Sequence, residues 1–244
     1  MKRRAFICGG MAAILASRRA PAFCIAMRNG MMRPSAPPTP PLPYDYEVAY
    51  IERDCSVPWV DSGGNEIAGH FDLSRYGIAG ETLGAMRPLE ATWSFEPILA
   101  GNVFAIVRQN GFFQRGCAKT SNRTTYTFSA QSGWISGIEG NIDTFHKQRL
   151  IYQDGHAKGY VDDNLAIDVS ISGSSIVQSP RVLYAEVSTS SSHYNGKARV
   201  KNVCLGSDVD LIPVVKGNAV GFYNMVDGEL FLEEQACLSA GPKV

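Results

Sequence analysis

From Tyr46 to the C-terminus, short apolar and β-branched runs are cut by Gly, Asn, Asp and Ser. No long run keeps the spacing of a helical face. Leu89–Phe95 shows the period most clearly: Leu89, Ala91, Trp93 and Phe95 fall on one side, Glu90, Thr92 and Ser94 on the other. That alternation is the mark of a half-buried strand, because successive strand side chains point to opposite faces. The same reading predicts strands at Tyr46–Glu52, Val57–Val60, Gly69–Leu73, Leu89–Glu96, Val103–Arg108, Thr124–Ser129, Gly133–Ile138 and Lys147–Gln153. It continues with Ala157–Val161, Ala166–Ile171, Arg181–Val187, Ala198–Leu205, Leu211–Val215, Ala219–Tyr223 and Glu229–Leu232.

Asp154-Gly155 and Asp227-Gly228 each separate two of these strands. Asp-Gly suits a type I′ turn, whose two central residues need positive φ, so both sites read as hairpins. Many short strands with few helical signals predict an all-β fold: an antiparallel two-sheet sandwich or jelly roll.

The charge is unevenly placed. The chain carries 23 Lys plus Arg and 23 Asp plus Glu. Residues 1–44 hold seven basic residues (Lys2, Arg3, Arg4, Arg18, Arg19, Arg28, Arg33) and no acid. The body is therefore net acidic, which argues against nucleic acid as a partner. No apolar run reaches the roughly 18 residues of a membrane span. Residues 1–26 have the order of an export signal: a basic start, the apolar Ala5–Ala16, and the small-x-small Ala20-Pro21-Ala22. Arg3-Arg4-Ala5-Phe6-Ile7 resembles the twin-arginine export motif. Residues 27–43 follow as a linker, with six Pro between Pro34 and Pro43 that favour an extended polyproline spacer. Cleavage near Ala26 would leave Cys55, Cys117, Cys204 and Cys237, whose three possible pairings sequence cannot separate.

Two segments carry a resemblance. Tyr46-Glu-Val-Ala-Tyr-Ile-Glu52 followed by Trp59-Val-Asp-Ser-Gly63 is similar to the opening of bacterial laminin-G-like domains in the concanavalin A-like lectin/glucanase superfamily. Asp210-Leu-Ile-Pro-Val214, Gly221–Phe231 and Ala240-Gly-Pro242 resemble their closing pattern. The resemblance spans residues 44–244 and implies a concanavalin A-like jelly roll. It also implies a place on bacterial surface proteins or in prophage regions.

The chemistry is sparse. The superfamily's β-glucan-cutting strand, Glu-x-Asp-x-x-Glu, is absent, as are a nucleophile elbow and a phosphate loop. The expectation is therefore a non-catalytic module that binds a glycan or a surface protein. The alternatives are a structural part of a prophage particle and a glycoside hydrolase with an unrecognised site. Sugar binding needs an aromatic plane beside hydrogen-bonding groups. Trp59 and Trp93 read as core, whereas Trp134, Tyr194 and its neighbour His193 lie beside loop sequences and are the candidate ligand contacts. No cofactor is expected beyond a structural Ca²⁺, for which Asp154, Asp162, Asp163 and Asn164 cluster around one predicted hairpin.

Overall fold

A computed structural model describes residues 41–76, 89–95, 104–109, 112–119, 123–130, 133–141, 144–153, 156–170, 180–184 and 197–244. For Leu89, Trp93, Phe95, Tyr152, Gln153 and the described residues between 104 and 141 it describes the backbone alone. The chain divides into two units, residues 1–41 and 42–244. The leader, most of the linker, Asp154, His193 and Tyr194 lie outside the described residues, and Trp134 is described by backbone only.

The second unit is built of antiparallel strands. The larger sheet has the order β13 (Asn164–Ser170), β12 (His156–Val161), β11 (His146–Gln153), β6 (Leu89–Phe95), β15 (Lys197–Leu205), β16 (Val209–Lys216), β17 (Ala219–Asn224) and β18 (Leu230–Glu233). Three short strands complete it: β1 (Tyr46–Glu47) on β16, β2 (Ile51–Asp54) on β15, and β19 (Leu238–Ala240) on β2. The second sheet has the order β10 (Gly133–Asn141), β9 (Arg123–Ala130), β8 (Phe112–Lys119), β7 (Phe104–Gln109), β14 (Arg181–Tyr184) and β5 (Phe71–Asp72). A two-stranded ribbon pairs β3 (Trp59–Val60) with β4 (Glu66–Ile67). The chain passes repeatedly between the two sheets, as in a jelly roll, so the predicted class is what the structure shows.

Alternation places the core. On β15, Ala198, Val200, Val203 and Leu205 are buried, while Lys197, Arg199 and Lys201 face outward. Residues from both sheets meet in one apolar cluster that includes Phe71, Leu73, Val182, Leu183, Val203, Leu211 and Phe222. Trp59 lies in it, as expected, edge-on to Phe71, which in turn stands edge-on to Phe222. Gly69 lies so close that a Cβ there would sit 1.9 Å from the Trp59 ring. The sheets also share one buried cation. Arg53 on β2, 3% exposed, donates to the carbonyl of Gly69 at 2.5 Å and to that of Leu183 on β14. Its guanidinium lies 5.1 Å from the Trp59 ring centroid, and burial lowers its pKa. Leu183 adopts φ 55°, a left-handed backbone costly for a branched side chain, so Arg53 holds a carbonyl on a strained residue.

The structure departs from the sequence reading in several places. Phe112–Lys119, outside every predicted strand, forms β8, pairing with β7 and β9; flanking strands override a stretch interrupted by Gln114-Arg115-Gly116. The predicted strand Tyr46–Glu52 breaks in two, β1 pairing with β16 and β2 with β15. Asp227-Gly228 does not form a two-residue turn. Asn224 and Glu229 close a four-residue loop, and only Gly228 within it has positive φ, at 81°. A tight turn lies at Asp162-Asp163, both left-handed with φ 48° and 63°, between the paired Val161 and Asn164. Gln153 and His156 pair across Asp154-Gly155, as that hairpin requires.

The Asp162-Asp163 turn carries a direct test. Aspartate tolerates the left-handed region, glycine suits it, and a β-branched residue does not. Asp163→Val should cost about 1–2 kcal/mol in denaturant unfolding, while Asp163→Gly should stay within about 0.5 kcal/mol of wild type. Equal effects of the two would contradict the turn assignment.

Candidate functional site

A polar cluster lies where a 3-10 turn, Ser74–Tyr76, meets the β17–β18 loop. Phe71 and Leu73, both buried, anchor the segment before the turn. Asp72 accepts the Ser74 amide at 2.8 Å, and the Tyr76 amide bonds the Leu73 carbonyl at 2.9 Å, so the chain curls and presents Arg75 and Tyr76. Opposite stands Asn224, fully buried at the end of β17. Its Oδ1 accepts from the amides of Asp210 and Val226, and its Nδ2 donates to the Asp208 carbonyl and, at 3.1 Å, to the Tyr76 hydroxyl. With every arm engaged, Asn224 is a fixed donor.

Asp227 completes the arrangement. Its Oδ2 accepts from the Tyr76 hydroxyl at 2.5 Å and lies 3.4 Å from Arg75, while its Oδ1 accepts the Glu229 amide at 3.1 Å. Arg75 also reaches Glu229 at 2.7 Å and lies 5.0 Å from the Tyr76 ring centroid. The electrostatics separate the two acids. The Tyr76 hydrogen bond, aided by Arg75, holds Asp227 below the usual aspartate value. Burial and the Asp227 charge raise the Tyr76 phenol. A neutral phenol therefore faces an ionised carboxylate. The phenol oxygen donates to one partner, accepts from another and keeps one lone pair for a third. Met225 and Val226, in the same loop as Asp227, are both more than half exposed.

None of this was singled out from sequence. Tyr76 and Asp227 stand 151 positions apart, and no spacing joins them. Asp227 was read as a turn residue, and its role depends on the longer loop found here.

The structure places the expected calcium residues around cations. Asp162 accepts from the His146 ring at 2.6 Å and from the Lys147 amide at 2.9 Å. Asp163 lies 3.9 Å from the Lys147 ammonium and 3.7 Å from Arg149. Asn164 donates to the Asp162 carbonyl. Among the described residues no group of three or more His, Cys, Asp and Glu side chains is placed to hold a metal ion. Burial raises the Asp162 carboxyl, but the His146 and Lys147 hydrogen bonds more than offset it, and the net pKa is lowered from 3.8. A depressed carboxyl contributes stability that is present above 3.8 and lost as pH falls through the folded value below it. Asp162→Asn, compared with wild type by thermal unfolding across that acid range, should show a shallower loss of stability. Superimposable acid profiles would refute the contribution.

No protein-family model matches the chain, and no curated protein sequence matches it. Solved structures are similar to it. The family 7 alginate lyase from Zobellia galactanivorans matches at 16% identity and TM-score 0.41, over 52% of this chain and 64% of its own. An alginate lyase from Pseudomonas aeruginosa matches at 12% identity and TM-score 0.39, over 59% and 70%. The catalytic domain of a laminarinase from Thermotoga petrophila matches at 9% identity and TM-score 0.34, over 62% and 73%. The chain thus spans less than two thirds of the length of the Zobellia lyase. Likeness at these identities is one of fold, and it agrees with the jelly roll described above. The strand order and pairing described above define the class: an all-β, antiparallel two-sheet sandwich of the jelly-roll kind.

The expectation of a non-catalytic binding module is corrected: the similar solved structures include alginate lyases and a laminarinase, a likeness of fold alone. A missing Glu-x-Asp-x-x-Glu removes one carboxylate constellation, while a phenol paired with a carboxylate performs acid–base work without it. No helix among the described residues is long and apolar enough to cross a membrane.

Proposed function

We propose that residues 42–244 form a polysaccharide-acting enzyme whose proton-transfer group is the Tyr76 phenol backed by Asp227. The observation that carries this reading is the Tyr76 hydroxyl held between Asp227 Oδ2 at 2.5 Å and Asn224 Nδ2 at 3.1 Å, at a partly exposed position. In this arrangement the phenol oxygen takes a proton from the substrate or from water as its own proton passes to Asp227. The same relay, reversed, returns a proton to the leaving glycosidic oxygen. Asn224 keeps the oxygen in place, and Arg75 offsets the charge on Asp227 and Glu229. Met225 and Val226 offer a surface for the C–H face of a sugar ring.

The leader supports action outside the cytoplasm: residues 1–26 have the order of an export signal with Arg3-Arg4, and residues 27–43 suit a spacer. The laminin-G-like resemblance at Tyr46–Glu52 and Gly221–Phe231 supports a bacterial surface or extracellular setting.

The test is to offer the purified full chain alginate, laminarin and a panel of other polysaccharides, reading new reducing ends and the ultraviolet absorbance of unsaturated uronates. New reducing ends on one polymer class are expected, and the absorbance distinguishes elimination from hydrolysis. No new ends on any polymer would refute the reading.

A further inference from the structure

We infer that Cys55 and Cys237 form an intramolecular disulfide that clasps β19 to β2. Leu238 pairs with Arg53 in antiparallel register, so Cys237 stands opposite Asp54, and the Asp54 amide bonds the Cys237 carbonyl at 2.9 Å. Cys55 is the next residue along. Cys55 and Cys237 each lie one residue beyond the ends of β2 and β19, in turns, so strand alternation does not hold their side chains on opposite faces. A one-residue offset across a backbone hydrogen bond sets the two Cα atoms about 6 Å apart, within the span a disulfide bridges. Both side chains pack into the same apolar cluster, and Cys237 acts electrostatically on the Cys55 thiol. Both are free thiols in the structure described here.

The geometry also excludes the other described thiol. Lys197 on β15 stands opposite Asp54, and Cys204 lies seven residues further along the same strand. At about 3.3 Å per residue that is about 23 Å from Cys55, far beyond reach. Cys204 instead faces Asp210, at 3.5 Å on the outer surface. Cys117 belongs to β8, in the other sheet.

The inference is independent of the Tyr76 chemistry and rests on the oxidising compartment that the leader implies. The step is exchange with a small-molecule disulfide such as oxidised glutathione. The two protein thiols give up two protons and two electrons, one protein S–S bond forms, the donor S–S bond breaks, and two glutathione thiols leave. Burial pushes the Cys55 thiol up to about 12, and raises Cys237 also, against the pull of Arg53. Thiolate is therefore scarce in the folded chain, so exchange is slow at neutral pH and speeds up in mild denaturant.

The experiment incubates the full chain in a glutathione redox buffer with mild denaturant, removes the denaturant, alkylates free thiols and maps peptides without reduction. The expected result is a linked Cys55–Cys237 peptide two hydrogens lighter than its parts, with Cys204 still alkylated. Reductant should then lower the unfolding midpoint of this oxidised protein by several degrees, and leave that of a Cys55→Ser, Cys237→Ser double variant unmoved. Full alkylation of both residues, or linkage of either to Cys117 or Cys204, would overturn the inference. Should the variant fail to fold, the peptide map of the wild-type chain decides alone.

Discussion

Tyr76→Phe should lower kcat/KM on the polysaccharide that the protein cleaves about 10²- to 10⁴-fold, the range that one acid–base group supplies. The loss should fall on kcat, because the ring, its edge contact with Phe231 and the Arg75 stack all remain. Asp227→Asn should show a loss of the same order, because an amide cannot take the phenol proton. The two losses should not add. Residues that act as one relay lose their function when either is removed, so the double variant should resemble the worse single one. Steady-state kinetics on the three variants, with far-ultraviolet circular dichroism to confirm folding, make the measurement. A Tyr76→Phe enzyme within threefold of wild type would show that this cluster only braces the loop.

Arg53→Met should destabilise the fold by about 3 kcal/mol, because two buried carbonyls lose their donor and each unpaired group costs about 1–3 kcal/mol. The carbonyls belong to Gly69 and Leu183 in the segments of the smaller sheet, while Arg53 rides on β2 of the larger one, so the loss falls on the sheet-to-sheet contact. Leu183 would then hold its left-handed φ of 55° without that bond. In a domain of this size the thermal midpoint should fall by about 10 °C. Arg53→Lys should fall between wild type and Arg53→Met, since an ammonium keeps the charge and lacks the planar fork that serves two acceptors. Urea unfolding that leaves Arg53→Met within 1 kcal/mol of wild type, with an unchanged slope, would contradict the assignment.

The two results also divide what could be read in advance. Alternation along Leu89–Phe95, Ala157–Val161 and Ala198–Leu205 announced strands, since the period of two records which face meets the core. Trp59 was legible as core from its place in the Trp59–Gly63 motif. Turn chemistry was legible only in part. Asp-Gly marked a real two-residue connection at residues 154–155, but at Asp227-Gly228 the buried Asn224 draws the loop wider by bonding the Asp210 and Val226 amides. Asp162-Asp163 holds a tight turn without glycine, legible in sequence as a turn after a strand but not in its left-handed geometry. The missing Glu-x-Asp-x-x-Glu was read as a missing activity, because a motif search tests one constellation at a time.

By itself the amino-acid sequence determined the all-β class, most of the strands and the basic, proline-marked N-terminal region, because these follow from periods and compositions within a few residues. The tertiary structure alone decided which strands became neighbours, and through them three long-range meetings. Tyr76 came against Asp227, Arg53 reached the carbonyls of Gly69 and Leu183, and Cys237 came to stand beside Cys55. The physical reason is that a strand's own pattern specifies its buried face but not its partner. Partner choice is settled by how two apolar sheets pack with their backbone hydrogen bonds satisfied, and that is a property of the whole chain.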